Sequence, residues 1–400
     1  MKEKFLKLSS LLMVVVMVFC LTACGGSKDI AESESSLDFK KGKIGVALYE
    51  DSTDFAKGMQ NYITYLAEGM NLEVTFALFS QQDEAANLAT VQQLISSGVQ
   101  GIIGTTDVGS TAIIKECEAA GVYYASYLCD MDTSYKTAYD DVFGSDIFLG
   151  AVADGYCSDK SDSAQAYFDS LVGYNEAHPD DQITHVSMAM FPAWAFPAQT
   201  AYAQKFVELI DEYNKTAETQ ITVDPIDEAV DVLQFAPLDS TYFSKHADID
   251  AIISFADGGT FIYPAMISAG VDKDIKLFTA GFNKENTANF GSNGTQTFQQ
   301  ETGSPIEAVV YPLVLMVNKI NDVEFSDMPK EAERVDSSIL VANSDETIEL
   351  MMNSLYATGN LDDAFLTAED VANLTAVANP EATYAGLVEK VQSLNLNMAK

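Results

Sequence analysis

The chain is poor in the residues that most enzymes and metal proteins use. It has three histidines, His178, His185 and His246, none at metal-ligand spacing, and no HExxH. There is no GxSxG and no cysteine–histidine signature, so neither a zinc hydrolase nor a nucleophile-elbow hydrolase is indicated. Cysteine is scarce as well: five in 400 residues. Cys20 and Cys24 lie near the N-terminus; Cys117, Cys129 and Cys157 remain, an odd number without a CxxC pair. Neither a disulfide framework nor a zinc site is indicated. Basic residues are also few, 22 lysines and arginines against 59 aspartates and glutamates, for a formal charge of -37. A surface of that sign repels nucleic acid phosphates and anionic lipid headgroups. The charge reads first as a solvated coat; a preference for cationic ligands is the sharper alternative.

Apolar residues, by contrast, make up 48% of the chain, ample for sizeable cores, and the length allows two to three domains. From Lys43 to Asp130 apolar runs alternate with helical patterns. Ile44–Leu48, Val74–Phe79, Gly101–Gly104 and Val122–Leu128 read as strands. Helices are expected from Asp51 to Met70, around Leu88–Ile95 and around Ala112–Ala120. Runs too continuous to alternate fit strands covered on both faces, and the intervening helices imply right-handed crossovers and a parallel sheet. Ligands bind beyond the carboxyl ends of such strands, so the loops Tyr49–Phe55, Thr105–Ser110 and Cys129–Ser134 are the ones to inspect.

Further along, Ala138–Ser145 is expected to be extended and Ile147–Ser170 helical. The α/β pattern then returns, with strands at Ile183–Met190, Ile249–Phe255 and Ile275–Ala280. A strand-like run at Thr295–Gln300, an apolar helix at Ile306–Ile320 and a late strand at Ser337–Ala342 follow. Residues 344–400 read as polar and mostly helical, and are expected to pack on the second half. At the other end Met1–Lys7 carries three lysines, and Leu11–Leu21 is apolar but too short for a comfortable membrane span. Leu21-Thr22-Ala23-Cys24 ends it, and 27–41 is a polar, serine-rich stretch that reads as a tether.

Leu21–Cys24 resembles a bacterial lipobox, which implies cleavage after residue 23 and lipidation of Cys24. Two or more acyl chains anchor stably where one does not, each buried CH₂ contributing about 0.8 kcal/mol. The body resembles the type I periplasmic solute-binding proteins, the ribose-binding-like group serving ABC importers, from about Lys43 to Ala342. The resemblance is carried by Ala56-Lys57-Gly58, Leu94-Ile95 with Gly98-Val99 and Gly101-Ile102-Ile103, and Ala119-Ala120-Gly121-Val122. Gly144-Ser145-Asp146 with Gly150, Asp248–Ile252 and Gly281-Phe282-Asn283 complete it. It implies two Rossmann-like α/β lobes with parallel sheets joined by a three-strand hinge. The hinge crossings would fall near Gly144–Asp146, Gln300–Thr302 and Val335–Ser337. The implied layout is signal peptide 1–23, lipidated tether 24–42, N-lobe 43–145 plus 301–335, and C-lobe 146–300 plus 336–400.

The function implied is capture of a small ligand, a sugar or sugar-like compound, between the lobes at the outer face of the membrane, and delivery to an ABC permease. No cofactor, metal or nucleic acid is expected. A nucleoside receptor or a sensory ligand-binding subunit is the alternative. An enzyme or a transcription regulator is disfavoured, the latter because a leader stands where DNA-binding helices would be. The sequence departs from sugar-binding members where arginines would fork hydroxyls: Leu128-Cys129-Asp130 and Pro197–Thr200 have none. Aromatic residues take their place, which favours a less hydroxylated ligand. The candidate ligand contacts are Tyr49, Phe55, Asp107, Trp194, Phe196, Asp257, Asn283 and Gln300. Glu301 competes with Gln300, Asp107 and Asp257 could equally cap helices, and Trp194 and Phe196 could equally pack beneath their lobe.

Overall fold

A computed structural model describes residues 39–80, 83–129, 131, 139–154, 162–192, 196–232, 238–291 and 296–399. The first sheet contains β1 (Gly42–Leu48), β2 (Leu72–Leu78), β3 (Gly101–Gly104), β4 (Tyr123–Tyr127), β5 (Phe148–Asp154) and β12 (Arg334–Ser337), in the order β12-β5-β4-β3-β1-β2. Every pairing in it is parallel. Its strands alternate with α1 (Asp54–Gly69), α2 (Glu84–Ser96) and α3 (Ser110–Ala120). Helix α1 starts where the Thr53 hydroxyl accepts the Ala56 N–H at 3.1 Å, an N-cap that serves an otherwise unpaired donor. Met59, Tyr62, Ile63 and Leu66 recur at helical spacing and are all buried.

The second sheet is built from β6 (His185–Met190), β7 (Thr222–Val223), β8 (Val230–Asp231), β9 (Ala251–Asp257), β10 (Lys276–Ala280), β11 (Phe298–Gly303) and β13 (Leu340–Ala342). Its order is β13-β11-β10-β9-β6-β7, with β8 also on β6 and only β13 antiparallel. Helices α4 (Asp162–Ala177) and α5 (Pro197–Asn214) cover one face through Leu171, Tyr202, Phe206 and Ile210, with Phe255 and Phe278 of the sheet against them. The other face carries α6 (Tyr263–Ala269). After β11 the chain returns to the first sheet as α7 (Val310–Ile320), which packs on β3, β4 and β5. Nearly every residue of α7 is buried, as befits a helix apolar on all sides.

Two segments differ from the sequence-based expectation. Residues 140–143 form a helical turn, not an extended segment, and Phe148–Asp154 is a strand, not the start of a helix. This strand lies between β4 and β12, so its Phe-Leu-Gly-Ala-Val-Ala run serves a two-sided burial that local pattern cannot separate from a buried helix. Gly150, at φ +123°, sits where the β4–β5 register shifts. A Cβ there would stand 2.6 Å from the Tyr311 hydroxyl and 2.7 Å from the Glu333 carbonyl, so only glycine fits.

The crossings move accordingly. The first sheet holds the chain through Asp154, past the crossing expected near Gly144–Asp146. The second follows Gly303, and the third lies between Ser337 and Leu340. The body also begins earlier than Lys43: Phe39 is buried, its carbonyl accepts from the Asn71 side chain at 2.8 Å, and the Lys40 N–H donates to Asn321 Oδ1 at 2.8 Å.

The C-terminal segment differs most. Helix α8 (Asp345–Met352) packs on the second sheet, against β13. Helices α9 (Leu355–Thr358) and α10 (Ala368–Ala372) pack on α1, and α11 (Tyr384–Gln392) on α7 and β12, all in the first lobe. Amphipathic helices encode a buried face but not the surface it meets. Among the described residues no helix is long and apolar enough to cross a membrane. Cys24 and the leader lie outside the described residues.

Candidate functional site

The carboxyl ends of β1 and β3 are tied together by the Tyr49 N–H, which donates to Thr105 Oγ1 at 2.7 Å. Tyr49 is half-buried, and burial, with the Tyr356 phenol and the Glu50 carboxylate nearby, pushes its hydroxyl well above the usual tyrosine range. Phe55, in the first turn of α1, lies with its ring centroid 4.9 Å from that of Tyr356. The Tyr356 ring is in turn 6.2 Å from Phe282, which follows β10 of the second sheet. A Cβ on Gly303, at the second crossing, would come within 2.7 Å of the Tyr356 ring. Phe55 of one lobe, Tyr356 of the C-terminal segment and Phe282 of the other lobe thus form one aromatic group between the sheets. Helix α9 approaches α1 through glycines: a Cβ on Gly58 would lie 3.1 Å from the Gly359 Cα.

A polar cluster adjoins it at the ends of β9, β10 and β11. Both Asp257 oxygens are used locally, one accepting the Thr260 N–H at 3.0 Å and the other its hydroxyl at 2.6 Å, so Asp257 caps the short helix Gly258–Phe261. Asn283 Oδ1 accepts the Glu285 N–H at 2.9 Å and caps the following turn.

Glu301 is 0% exposed. The Asn283 backbone N–H and the Asn286 side chain approach its carboxyl, yet neither carboxyl oxygen has a partner at hydrogen-bond geometry, nor does the Asn286 amide nitrogen. Burial is the main cause that raises the Glu301 acid to about 8, with the Asp257 carboxylate adding to it. Unpaired polar groups this deep are costly unless something else satisfies them.

Gln300, the expected contact, points the other way. The register shifts between Leu277 and Phe278, so Gln300 pairs with Phe278 and Glu301 with Thr279. Paired residues share a face. Phe278 belongs to the core beneath α4 and α5, whereas Thr279 meets Gly258, whose N–H it accepts at 2.7 Å. Gln300 is therefore buried on the side of α4 and α5, and Glu301 faces the polar cluster.

The remaining candidates are dispersed. Asp107 follows β3, half-buried, and its carbonyl accepts the Ser110 N–H and hydroxyl at 3.2 and 3.0 Å. Phe196, at the start of α5, is 46% exposed with its ring 4.6 Å from Phe191. Trp194 lies outside the described residues. Tyr356, Phe282 and Asn286 were not legible as site residues. Tyr356 comes from a segment beyond the resemblance, although Phe282 stands inside the Gly281-Phe282-Asn283 motif.

No protein-family model matches the chain, and no curated protein does. Solved structures do. An ABC transporter solute-binding protein from Agrobacterium vitis with bound allitol is similar over 78% of this chain and 99% of its own, at 14% identity and a TM-score of 0.56. A periplasmic solute-binding protein from Actinobacillus succinogenes with bound D-allose matches over 77% and 100%, at 13% identity and 0.56. A 5-methylthioribose transporter solute-binding protein from Thermotoga lettingae matches over 88% and 96%, at 10% identity and 0.53. At such identities the likeness is one of fold: this chain has the two-lobed α/β fold of type I periplasmic binding proteins.

Proposed function

We propose that the protein is an extracytoplasmic solute-binding lipoprotein that captures a small sugar-like ligand between its lobes and delivers it to an ABC permease. The observation that carries this reading is the grouping of Tyr49, Phe55, Tyr356 and Phe282 between the two sheets of that fold, with Glu301 two residues before the Gly303 that meets the Tyr356 ring. The fold's relatives with bound allitol, D-allose and 5-methylthioribose support it, as does the Leu21–Cys24 pattern for anchoring. The mechanism is binding and hinge closure, with no bond made or broken. A micromolar dissociation constant needs about -8 kcal/mol, within reach of a few buried hydrogen bonds and ring contacts.

The aromatic group favours a ligand with fewer hydroxyls than a hexose. No guanidinium can fork hydroxyls here, because the chain's one arginine, Arg334, is held by Asp336 on β12. The test is a thermal-shift screen of the soluble chain starting at Gly25 against monosaccharides, amino sugars, deoxysugars, 5-methylthioribose, choline and nucleosides. A ligand at about 100 times its Kd adds about 2.7 kcal/mol, a rise of a few degrees. A rise with a sugar or deoxysugar supports the reading; a rise with nucleosides alone replaces the ligand class. No rise with any compound overturns it.

A further inference from the structure

We propose that the ligand carries an ammonium or other amino-derived cation, seated between Glu301 and the rings of Tyr356 and Phe282. This rests on the solute-receptor reading and names its ligand class. Glu301 is wholly buried and unpaired at the carboxyl end of β11, facing the same side of the sheet as Thr279 and the polar turn after β10. Two residues on, Gly303 carries the Tyr356 ring against its backbone, and Phe282 adjoins the Asn283 N–H that approaches the carboxyl. Among the described residues no cation is paired with it or acts on its carboxyl; Lys276, at the start of the neighbouring β10, is paired with Asp181 at 3.9 Å, and β13 carries no charge. Asp257 at the end of β9 has the same sign. The turn after β10 offers the exposed Lys284 and Glu285, and α9 offers only the Tyr356 phenol. Lys57 on α1 is exposed and paired with Asp54 at 3.6 Å.

A buried acid without a cation, two residues along β11 from the contact with the Tyr356 ring, has the chemistry of an ammonium site. The carboxylate pairs the charge, and ring faces attract a cation within about 6 Å. A neutral polyol leaves the acid in its protonated form, whereas a cation pairs the carboxylate. The whole-chain charge of -37 acts in the same direction, concentrating small cations near the surface. Pairing also has a proton signature. Glu301, raised to about 8 by burial, is protonated at pH 7 in the free protein; a bound cation favours the carboxylate and expels that proton.

The test is calorimetric titration of the soluble chain with compound pairs differing in one group: D-glucosamine and D-glucose, D-galactosamine and D-galactose, choline and 3,3-dimethylbutanol. Each titration is run at pH 7 in two buffers of different ionisation enthalpy, which counts protons released. The expected result is at least tenfold tighter binding of an amine member, with release approaching one proton. Glu301→Gln, which keeps shape and fold, brings the pair within about twofold and abolishes the release. Neutral members that bind as well as or better than their amine partners, or a neutral ligand from the thermal screen that binds while every amine fails, overturn the inference and leave the solute-receptor reading standing. No binding by any pair, together with a blank screen, overturns both.

Discussion

Removing residues 344–400 abolishes cooperative folding of the rest of the chain. Met351, Leu355, Val371, Leu387 and Val391 are each fully buried. At about 1.5–3 kcal/mol per side chain they contribute on the order of 10 kcal/mol, comparable to the whole net stability of an ordinary domain. Polar ties add to this. The Tyr62 hydroxyl donates to the Leu366 carbonyl at 2.9 Å, Glu307 Oε1 accepts the Phe365 N–H at 3.0 Å, and Asn318 Oδ1 accepts the Ala376 N–H at 3.0 Å. Cutting after Asn343 strands these partners in the first lobe's interior. Ser338, at the third crossing, also donates from its N–H to the Val391 carbonyl at 3.2 Å, so the segment braces the hinge. The check is urea unfolding of the truncated chain followed by circular dichroism. The account predicts no cooperative transition, or insoluble protein; a transition within about 1 kcal/mol of the full chain contradicts it.

Glu301→Gln stabilises the free protein at alkaline pH and flattens its pH dependence. The folded chain holds the Glu301 proton up to about 8, whereas the unfolded chain releases it near 4.5. The stabilisation this contributes is complete below the unfolded value and is lost as pH rises through that interval to the folded one. Glu307, raised by burial to about 7, acts with the same sign. Wild-type stability therefore falls between about pH 4.5 and 8, and the glutamine variant falls less. The gap between them grows to a few kcal/mol by pH 8, since a tenfold change in proton affinity is worth about 1.4 kcal/mol. Urea midpoints at pH 5, 6, 7 and 8 measure it. Parallel curves for the two proteins sink the assignment of a buried, protonated Glu301.

How much of this was legible follows from what each element depends on. Strands β1 to β4 announce themselves because burial on both faces needs an unbroken apolar run, and α1 does so through Thr53, Met59 and Leu66. Strand β5 does not, since Phe148-Leu149-Gly150-Ala151 reads equally as a buried helix until β4 and β12 flank it. The strand-end rule points to Tyr49, Phe55 and Asn283; the structure brings Tyr49 and Phe55 beside Tyr356 and uses the Asn283 side chain as a cap. The rule misplaced Gln300 because the face it takes depends on a register shift in the neighbouring pair, which leaves no mark on the sequence. Tyr356 depends on where a distant segment docks, and Gly58 and Gly359, which permit that docking, are informative only once brought together. Asp257 is a cap in the structure, the bland alternative already open from its place before a helix.

The most direct test of a site between the lobes is calorimetric titration of the solute giving the largest thermal shift into the wild type, Phe55→Ala and Phe282→Ala. One substitution lies on each lobe. The account predicts one ligand per chain and at least a tenfold loss of affinity in both variants, because closure brings both side chains to the same molecule. Affinity within about twofold of wild type in both would place the ligand elsewhere and contradict it.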